Sequence, residues 1–192
     1  AAVPGGCRQP PLSDAQHPQL SVTVSSQSIL RCVMFNARSV VNKLGELHEL
    51  LYDGSTADCF CITESWLHDE ISNGMLDPKS MFSIFRCDRP VGRGGGVCVL
   101  INHSIKTCMV ELAARPIGID IVCFDLIESS VPYRIFVIYC PPASCIGRLS
   151  NVSPIISMKQ LTACLESNIN PRTAGGVQIC TPPYVFLEYF CG

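Results

Sequence analysis

The chain has 192 residues, of which 47% are hydrophobic and 16% charged, and its mean hydropathy is +0.29. No apolar run approaches the roughly 20 residues of a membrane-spanning helix, so we expect a soluble domain with no membrane partner. The formal net charge of −2 excludes the strongly basic balance of proteins that grip nucleic acid by charge alone. Arg86, Arg89 and Arg93 form one tight basic cluster, which suits either a local nucleic-acid-binding strip or a solvated hairpin tip.

The first predicted elements form a β-α-β unit. Residues 1–28 are rich in Pro, Gly, Ser and Gln, and we expect them to be flexible. The strand Ile29–Phe35 follows, then a helix over Val40–Tyr52 with Ser39 as its N-cap, then the strand Asp58–Thr63. Such a unit predicts two parallel neighbouring strands.

The remaining strands suggest further antiparallel pairing, and Pro141 and Pro142 end the last of them. We also expect one helix over Met158–Ser167, and we assign no structure to the tail, residues 168–192. The predicted strands are Met81–Arg86, Gly96–Ile101, Ile105–Leu112, Ile119–Leu126 and Tyr133–Tyr139.

The chain contains 13 cysteines, and no two of them have the C-x-x-C spacing of a zinc site or redox motif. Several lie within apolar strands, and Cys59 and Cys61 are expected to share one strand face. We therefore predict free, buried thiols in a reducing compartment, which makes the protein cytoplasmic or nuclear rather than secreted. The sequence has neither an initiator Met nor an apolar signal segment, which suggests a piece of a longer reading frame.

Three of the predicted strands end on a polar side chain. Asn36, Glu64 and Tyr139 each follow or close an apolar run. Because ligands of open α/β sheets bind beyond the carboxyl ends of the strands, these three side chains could converge on one rim. A carboxylate, an amide and a phenol suit a divalent metal and a phosphate. Taken singly, each also has an ordinary structural interpretation as a turn, cap or strand-end residue.

The glycine run Gly92–Gly96 is not a phosphate-binding loop, because a P-loop requires a following Lys-Ser/Thr and a helix. A β-prone run follows it instead, which predicts a tight hairpin where backbones approach closely. Trp66 is interpreted as a packing anchor for its loop.

Taken together, these segments resemble the endonuclease/exonuclease/phosphatase superfamily, in the variant found in non-LTR (LINE-type) retrotransposons. The resemblance covers about Ile29–Pro142 and extends at most to Ser167. Its motifs are residues 36–39 (NARS) with 42–44 (NKL), 61–67 (CITESWL), 85–89 (FRCDR) with 92–97 (GRGGGV), and 138–142 (IYCPP).

This resemblance implies a four-layer α/β sandwich, here incomplete, with the first sheet and its helices present and the second sheet partly missing. The partial domain would occupy residues 29–167. The resemblance also implies an endonuclease that depends on Mg²⁺ (Mn²⁺ being possible) and that nicks DNA. In the full-length element a reverse transcriptase would belong to the same chain. On that template Glu64 binds the metal, Asn36 positions the phosphate and Tyr139 contacts it. Cys140 stands where an Arg is commoner, which removes one cation near the rim.

The family also has a Gly-Asp-x-Asn strand end and a later Ser-Asp-His end, and neither motif is present in this chain. No Asp follows Asp125 and no His follows His103. Because hydrolysis needs an activated water as well as a bound phosphate, we expect weak or absent metal binding and little or no nicking by this chain. The alternatives are a phosphoesterase of the same superfamily acting on phospholipid, inositol phosphate or RNA, and a non-enzymatic relic.

Overall fold

The protein folds into two β-sheets with helices against the first. The computed structural model describes residues 19–25, 28–53, 55–89, 94–112, 118–127, 133–140 and 184–190. The helices among them are α1 (Leu44–Tyr52) and α2 (Asn73–Leu76), with a 3₁₀ turn at Val41–Lys43. The strands are β1 (Gln19–Ser25), β2 (Ser28–Asn36), β3 (Cys59–Thr63), β4 (Phe82–Cys87), β5 (Val97–Asn102), β6 (Thr107–Met109), β7 (Asp120–Leu126), β8 (Tyr133–Cys140) and β9 (Tyr184–Phe190).

The first sheet has the strand order β1-β2-β3-β5-β4. Its β2 and β3 are parallel, with Asn36 opposite Thr63, which confirms the predicted parallel pair. β5 runs antiparallel to both β3 and β4. The carboxyl ends of β2 and β3 therefore meet the amino end of β5 at one edge of the sheet.

The amino-terminal segment differs from the prediction in part. We expected residues 1–28 to be flexible, yet β1 pairs antiparallel with β2 over residues 19–25. The sequence of β1 alternates polar and apolar residues, a pattern that favours a strand over the compositional signal for disorder. Residues 1–18 lie outside the described part of the chain.

The start of the first helix is also different. Ser39 was predicted as the N-cap of a helix beginning at Val40, but its φ is +84°. The chain instead passes through the 3₁₀ turn before α1 begins at Leu44, and neither element has a side-chain cap. The Ser39 amide donates to the carbonyl of Glu64 at 2.9 Å, so this residue ties the loop after β2 to the loop after β3.

The second sheet has the strand order β6-β7-β8-β9. β7 and β8 form the predicted antiparallel pair, and β6 is much shorter than the strand predicted over Ile105–Leu112. β9 lies in the tail to which we assigned no structure, and it pairs parallel with β8. The predicted helix over Met158–Ser167 lies outside the described residues.

The core lies between the sheets. Tyr139 belongs to this inter-sheet cluster, with Met34, Val99, Phe124 and Val137 among its members. Cys59 and Cys61 share the cluster, as expected for residues two apart, with their sulfurs 3.7 Å apart. A second cluster packs α1 and α2 against the outer face of the first sheet. Among the described residues no helix is long and apolar enough to cross a membrane.

The cysteines within the described ranges are free, and most are buried, as predicted. Hydrogen bonding to Cys32 and Cys61, together with burial, raises the pKa of the Cys59 thiol well above its ordinary value. Burial raises the pKa of Cys98 to about 12. These thiols therefore stay protonated at neutral pH and behave as small apolar side chains.

Candidate active site

The loops that follow β2 and β3 lie at the rim, the sheet edge where these two strands end, and both loops contain residues with left-handed backbone. Arg38 and Ser39 follow β2, Glu64 and Trp66 follow β3, and all four have positive φ values, between +46° and +84°. Such conformations cost of order 1–3 kcal/mol each for non-glycine residues and persist only where the surroundings enforce them. This concentration of strain at one sheet edge is typical of a functional site.

Backbone hydrogen bonds hold the two loops together. The amides of Ala37 and Val40 donate to the carbonyls of Thr63 and Ser65 at 2.9 and 3.0 Å. The buried Lys43 ammonium donates to the Ala37 carbonyl at 2.7 Å. The loops thus form one unit, and Asn36 and Glu64 are fixed at neighbouring strand ends.

Tyr139 reaches this unit from the other sheet. Its phenol donates to the Glu64 carboxylate, with 2.9 Å between Oη and Oε1. Tyr139 is buried within the inter-sheet cluster, and Glu64 is half-buried. The hydrogen bond places a carboxylate at the junction of the sheets without leaving it uncompensated.

Asn36 lies at the same edge and shapes a turn there. Its side-chain oxygen accepts a hydrogen bond from the Arg38 amide at 3.0 Å. This is the turn role that Asn adopts commonly, and it accompanies the left-handed conformation of Arg38. Because the amide group also has two N–H donors, this turn is compatible with contact to a phosphate.

The glycine hairpin packs tightly against the loop after β3, as predicted. Trp66 and Ser65 donate their amides to the carbonyls of Gly95 and Gly96, at 3.0 and 3.3 Å. A Cβ atom on Gly96 would lie 2.7 Å from the Ser65 hydroxyl, and one on Gly94 would lie 3.4 Å from the Trp66 ring. Trp66 therefore packs on the hairpin, in line with its expected anchoring role.

A partly buried ion pair lies beside the Tyr139–Glu64 contact. Arg89 Nε donates to both carboxylate oxygens of Asp120, at 3.0 and 2.9 Å. Asp120 also accepts the Gly96 amide at 2.8 Å, and the Arg89 guanidinium lies 5.8 Å from the centre of the Tyr139 ring. Sequence reasoning missed this pair. The available signal was Asp120 itself, a carboxylate inside an apolar strand that needs a buried partner.

The two described arginines of the basic cluster, Arg86 and Arg89, correspond to neither interpretation of it. Arg86 is only 16% exposed and bonds to Asp88 and to the carbonyls of Ile71 and His68. Arg89 is committed to Asp120. Both arginines brace loops, so they form neither a free nucleic-acid strip nor a solvated tip, while Arg93 lies outside the described residues.

The donor set at the rim decides what kind of metal it could hold. Within the described ranges no three His, Cys, Asp or Glu side chains come together as a metal-binding group. Asp120 is engaged by Arg89 and Gly96, and Glu64, which accepts the hydrogen bond from Tyr139, is the carboxylate among the described residues at the carboxyl ends of β2 and β3. One carboxylate fits Mg²⁺ only in its usual mode, in which water and substrate phosphate complete the coordination.

Comparison with solved structures identifies the fold. The chain is similar to the AP endonuclease LMAP from Leishmania major, with a TM-score of 0.55 and 14% identity over 85% of this chain and 59% of that one. It is also similar to the human Nocturnin catalytic domain, with a TM-score of 0.49 and 12% identity over 79% of this chain and 63% of that one. The chain thus spans less than two thirds of the length of either protein. No family model and no curated protein matches the sequence.

The first of these similarities establishes the class of fold. The chain has a mixed α/β architecture with two sheets, and its fold resembles that of the AP endonuclease LMAP. This agrees with the two-sheet α/β fold that the sequence motifs led us to expect.

Proposed function

We propose that this chain carries the metal- and phosphate-contacting half of a DNA endonuclease site of the LINE-type retrotransposon kind. One observation carries the proposal. Tyr139 and Glu64, which come from the two motifs 61–67 and 138–142, meet at 2.9 Å across the two sheets. The likeness of the fold to that of an AP endonuclease supports the same chemistry. In the complete element a reverse transcriptase would follow in the same chain.

Each rim residue has a defined part in this proposal. Glu64 would hold Mg²⁺ or Mn²⁺, and Asn36 would donate to a phosphodiester oxygen. Tyr139 would orient the Glu64 carboxylate and contact the phosphate on the side of the second sheet. The metal, when bound, would neutralise charge on the phosphate and make bound water more acidic.

The same proposal makes the 192-residue chain a binder rather than an efficient nuclease. The sequence contains no Asp beyond Asp125 and no His beyond His103 to position and activate the attacking water. Losing such groups typically lowers a rate by orders of magnitude even where substrate still binds. DNA should therefore be held weakly, in a metal-dependent manner, and cut at a background rate.

Two assays test this. In a filter-binding assay with Mn²⁺, the wild type should bind duplex DNA, and Glu64→Gln should bind it at least about tenfold more weakly. Glu70 is an exposed carboxylate in the loop after Glu64, so Glu70→Gln is the control and should bind DNA as the wild type does. A supercoiled plasmid with Mg²⁺ should stay uncut. Metal-dependent retention of phosphoinositide or RNA in preference to DNA would overturn the choice of substrate. Robust nicking by the wild type that Glu64→Ala abolishes would overturn the prediction that this chain cuts DNA only at a background rate.

A further inference from the structure

We propose that Arg89 and Asp120 are positioning residues that fix the Tyr139–Glu64 contact. The inference rests on the proposed function, because the contact matters only if Glu64 and Tyr139 serve a metal and a phosphate. Neither Arg89 nor Asp120 is assigned a role at the metal or the phosphate. They act through the residues that they hold.

Asp120 controls Tyr139 through the second sheet. The two residues are direct cross-strand partners in the antiparallel pair β7–β8. Side chains of such partners lie side by side on one face of the sheet, here the face that meets the first sheet. Arg89, drawn to Asp120, lies within cation–π distance of the Tyr139 ring, at 5.8 Å from its centre. The ring is thus confined between the ion pair and the core.

Asp120 also controls Glu64 through the first sheet. Its carboxylate accepts the Gly96 amide at 2.8 Å, and the Gly96 carbonyl accepts the amide of Ser65, the residue after Glu64, at 3.3 Å. The Arg89 side chain packs directly against the backbone of the same hairpin, since a Cβ atom on Gly95 would lie 2.3 Å from Arg89 Nε. Both partners of the 2.9 Å contact are therefore tethered to one carboxylate.

A second ion pair, which lies within the second sheet, provides a matched control. Arg134 on β8 donates to Asp125 on β7 at 2.7 and 2.8 Å. Their side chains are 20% and 25% exposed, compared with 21% and 9% for Arg89 and Asp120. Asp125 lies about five residues, roughly 17 Å, along β7 from Asp120, toward the end of the sheet away from the rim.

The experiment measures the Tyr139 resonance by NMR in protein labelled at tyrosine Cζ, assigned with Tyr139→Phe. Glu64→Gln defines the signal of a weakened contact. Asp120→Asn should move the Tyr139 resonance toward that signal and should weaken Mn²⁺ binding in the presence of duplex DNA about 10- to 100-fold. Asp125→Asn should leave both readouts unchanged. Arg89→Lys keeps the charge but loses the hydrogen bonds from Nε to both carboxylate oxygens, so it should move the resonance less. This variant replaces Asp120→Asn in the experiment if Asp120→Asn does not fold.

The two readouts separate the two proposals. An unmoved Tyr139 resonance in folded Asp120→Asn or Arg89→Lys would overturn the positioning role, as would an equal shift in Asp125→Asn. A shifted resonance in a protein whose wild type binds no Mn²⁺ with DNA would support the positioning role and overturn the proposed function.

Discussion

The hydroxyl of Tyr139 donates to the carboxylate of Glu64 across the two sheets, over 75 positions of sequence. Glu64 reaches that position in a left-handed conformation, with φ at +49°, directly after a strand buried along its whole length. Glu64 thus combines a strained backbone with a charge-assisted hydrogen bond to its carboxylate, a combination that is typical of a preorganised site.

Removing the phenol hydroxyl should lower the free energy of unfolding. Tyr139→Phe leaves the half-buried Glu64 carboxylate without this donor, so we expect a loss of about 1–2 kcal/mol in urea denaturation at neutral pH. Tyr133→Phe, on the same strand and packed against the same core, is the control and should cost less than about 0.5 kcal/mol. Equal costs for the two variants would contradict a specific Tyr139–Glu64 bond.

The glycine hairpin should not tolerate a side chain at Gly96. Its φ is +83°, and a Cβ atom would lie 2.7 Å from the Ser65 hydroxyl, so Gly96→Ala should cost at least about 1–2 kcal/mol. Gly45→Ala is the matched control. Gly45 lies in α1 with open space around it, so the same substitution should stabilise the protein by up to about 1 kcal/mol. Thermal unfolding of both variants provides the comparison, and a stable Gly96→Ala protein would refute the close packing.

The buried thiols should make the protein sensitive to alkali. The pKa of Cys98 rises from 9.0 in its ordinary state to about 12, so the folded protein retains a proton that the unfolded chain releases between these values. Stability is therefore fully present below pH 9 and should fall toward pH 12, by about 1.4 kcal/mol per pH unit for such a thiol. Denaturation midpoints across this range provide the measurement. Cys98→Ala should reduce the slope, and an unchanged slope would show that another group governs the loss.

The strands that position the rim were accessible from the sequence because local patterns specify them. Apolar runs ending at Asn36, Glu64 and Tyr139 predicted β2, β3 and β8 to within a residue or two at each end. The glycine run was also interpretable, since its composition excluded a P-loop. These features depend on residues close together in the chain.

The features that sequence reasoning missed depend on partners far away in the chain. Arg89 and Asp120 are 31 positions apart, and nothing local pairs them. Ser39 had a cap-like sequence context, but backbone hydrogen bonds to the loop after β3 impose a left-handed conformation instead. β1 was missed for another reason, because the prediction for residues 1–28 rested on their composition alone and did not use the alternation of polar and apolar residues in Gln19–Ser25.

Calorimetric titration can decide whether Glu64 binds a divalent cation together with a phosphodiester, as proposed above. Mn²⁺ titrated into the protein with a short DNA duplex should give a saturable heat in the wild type and in Glu70→Gln. Glu64→Gln should weaken the affinity about 10- to 100-fold, because the carboxylate charge is lost while the shape is kept. Equal affinity in the wild type and Glu64→Gln would rule out the proposed metal-binding role of Glu64.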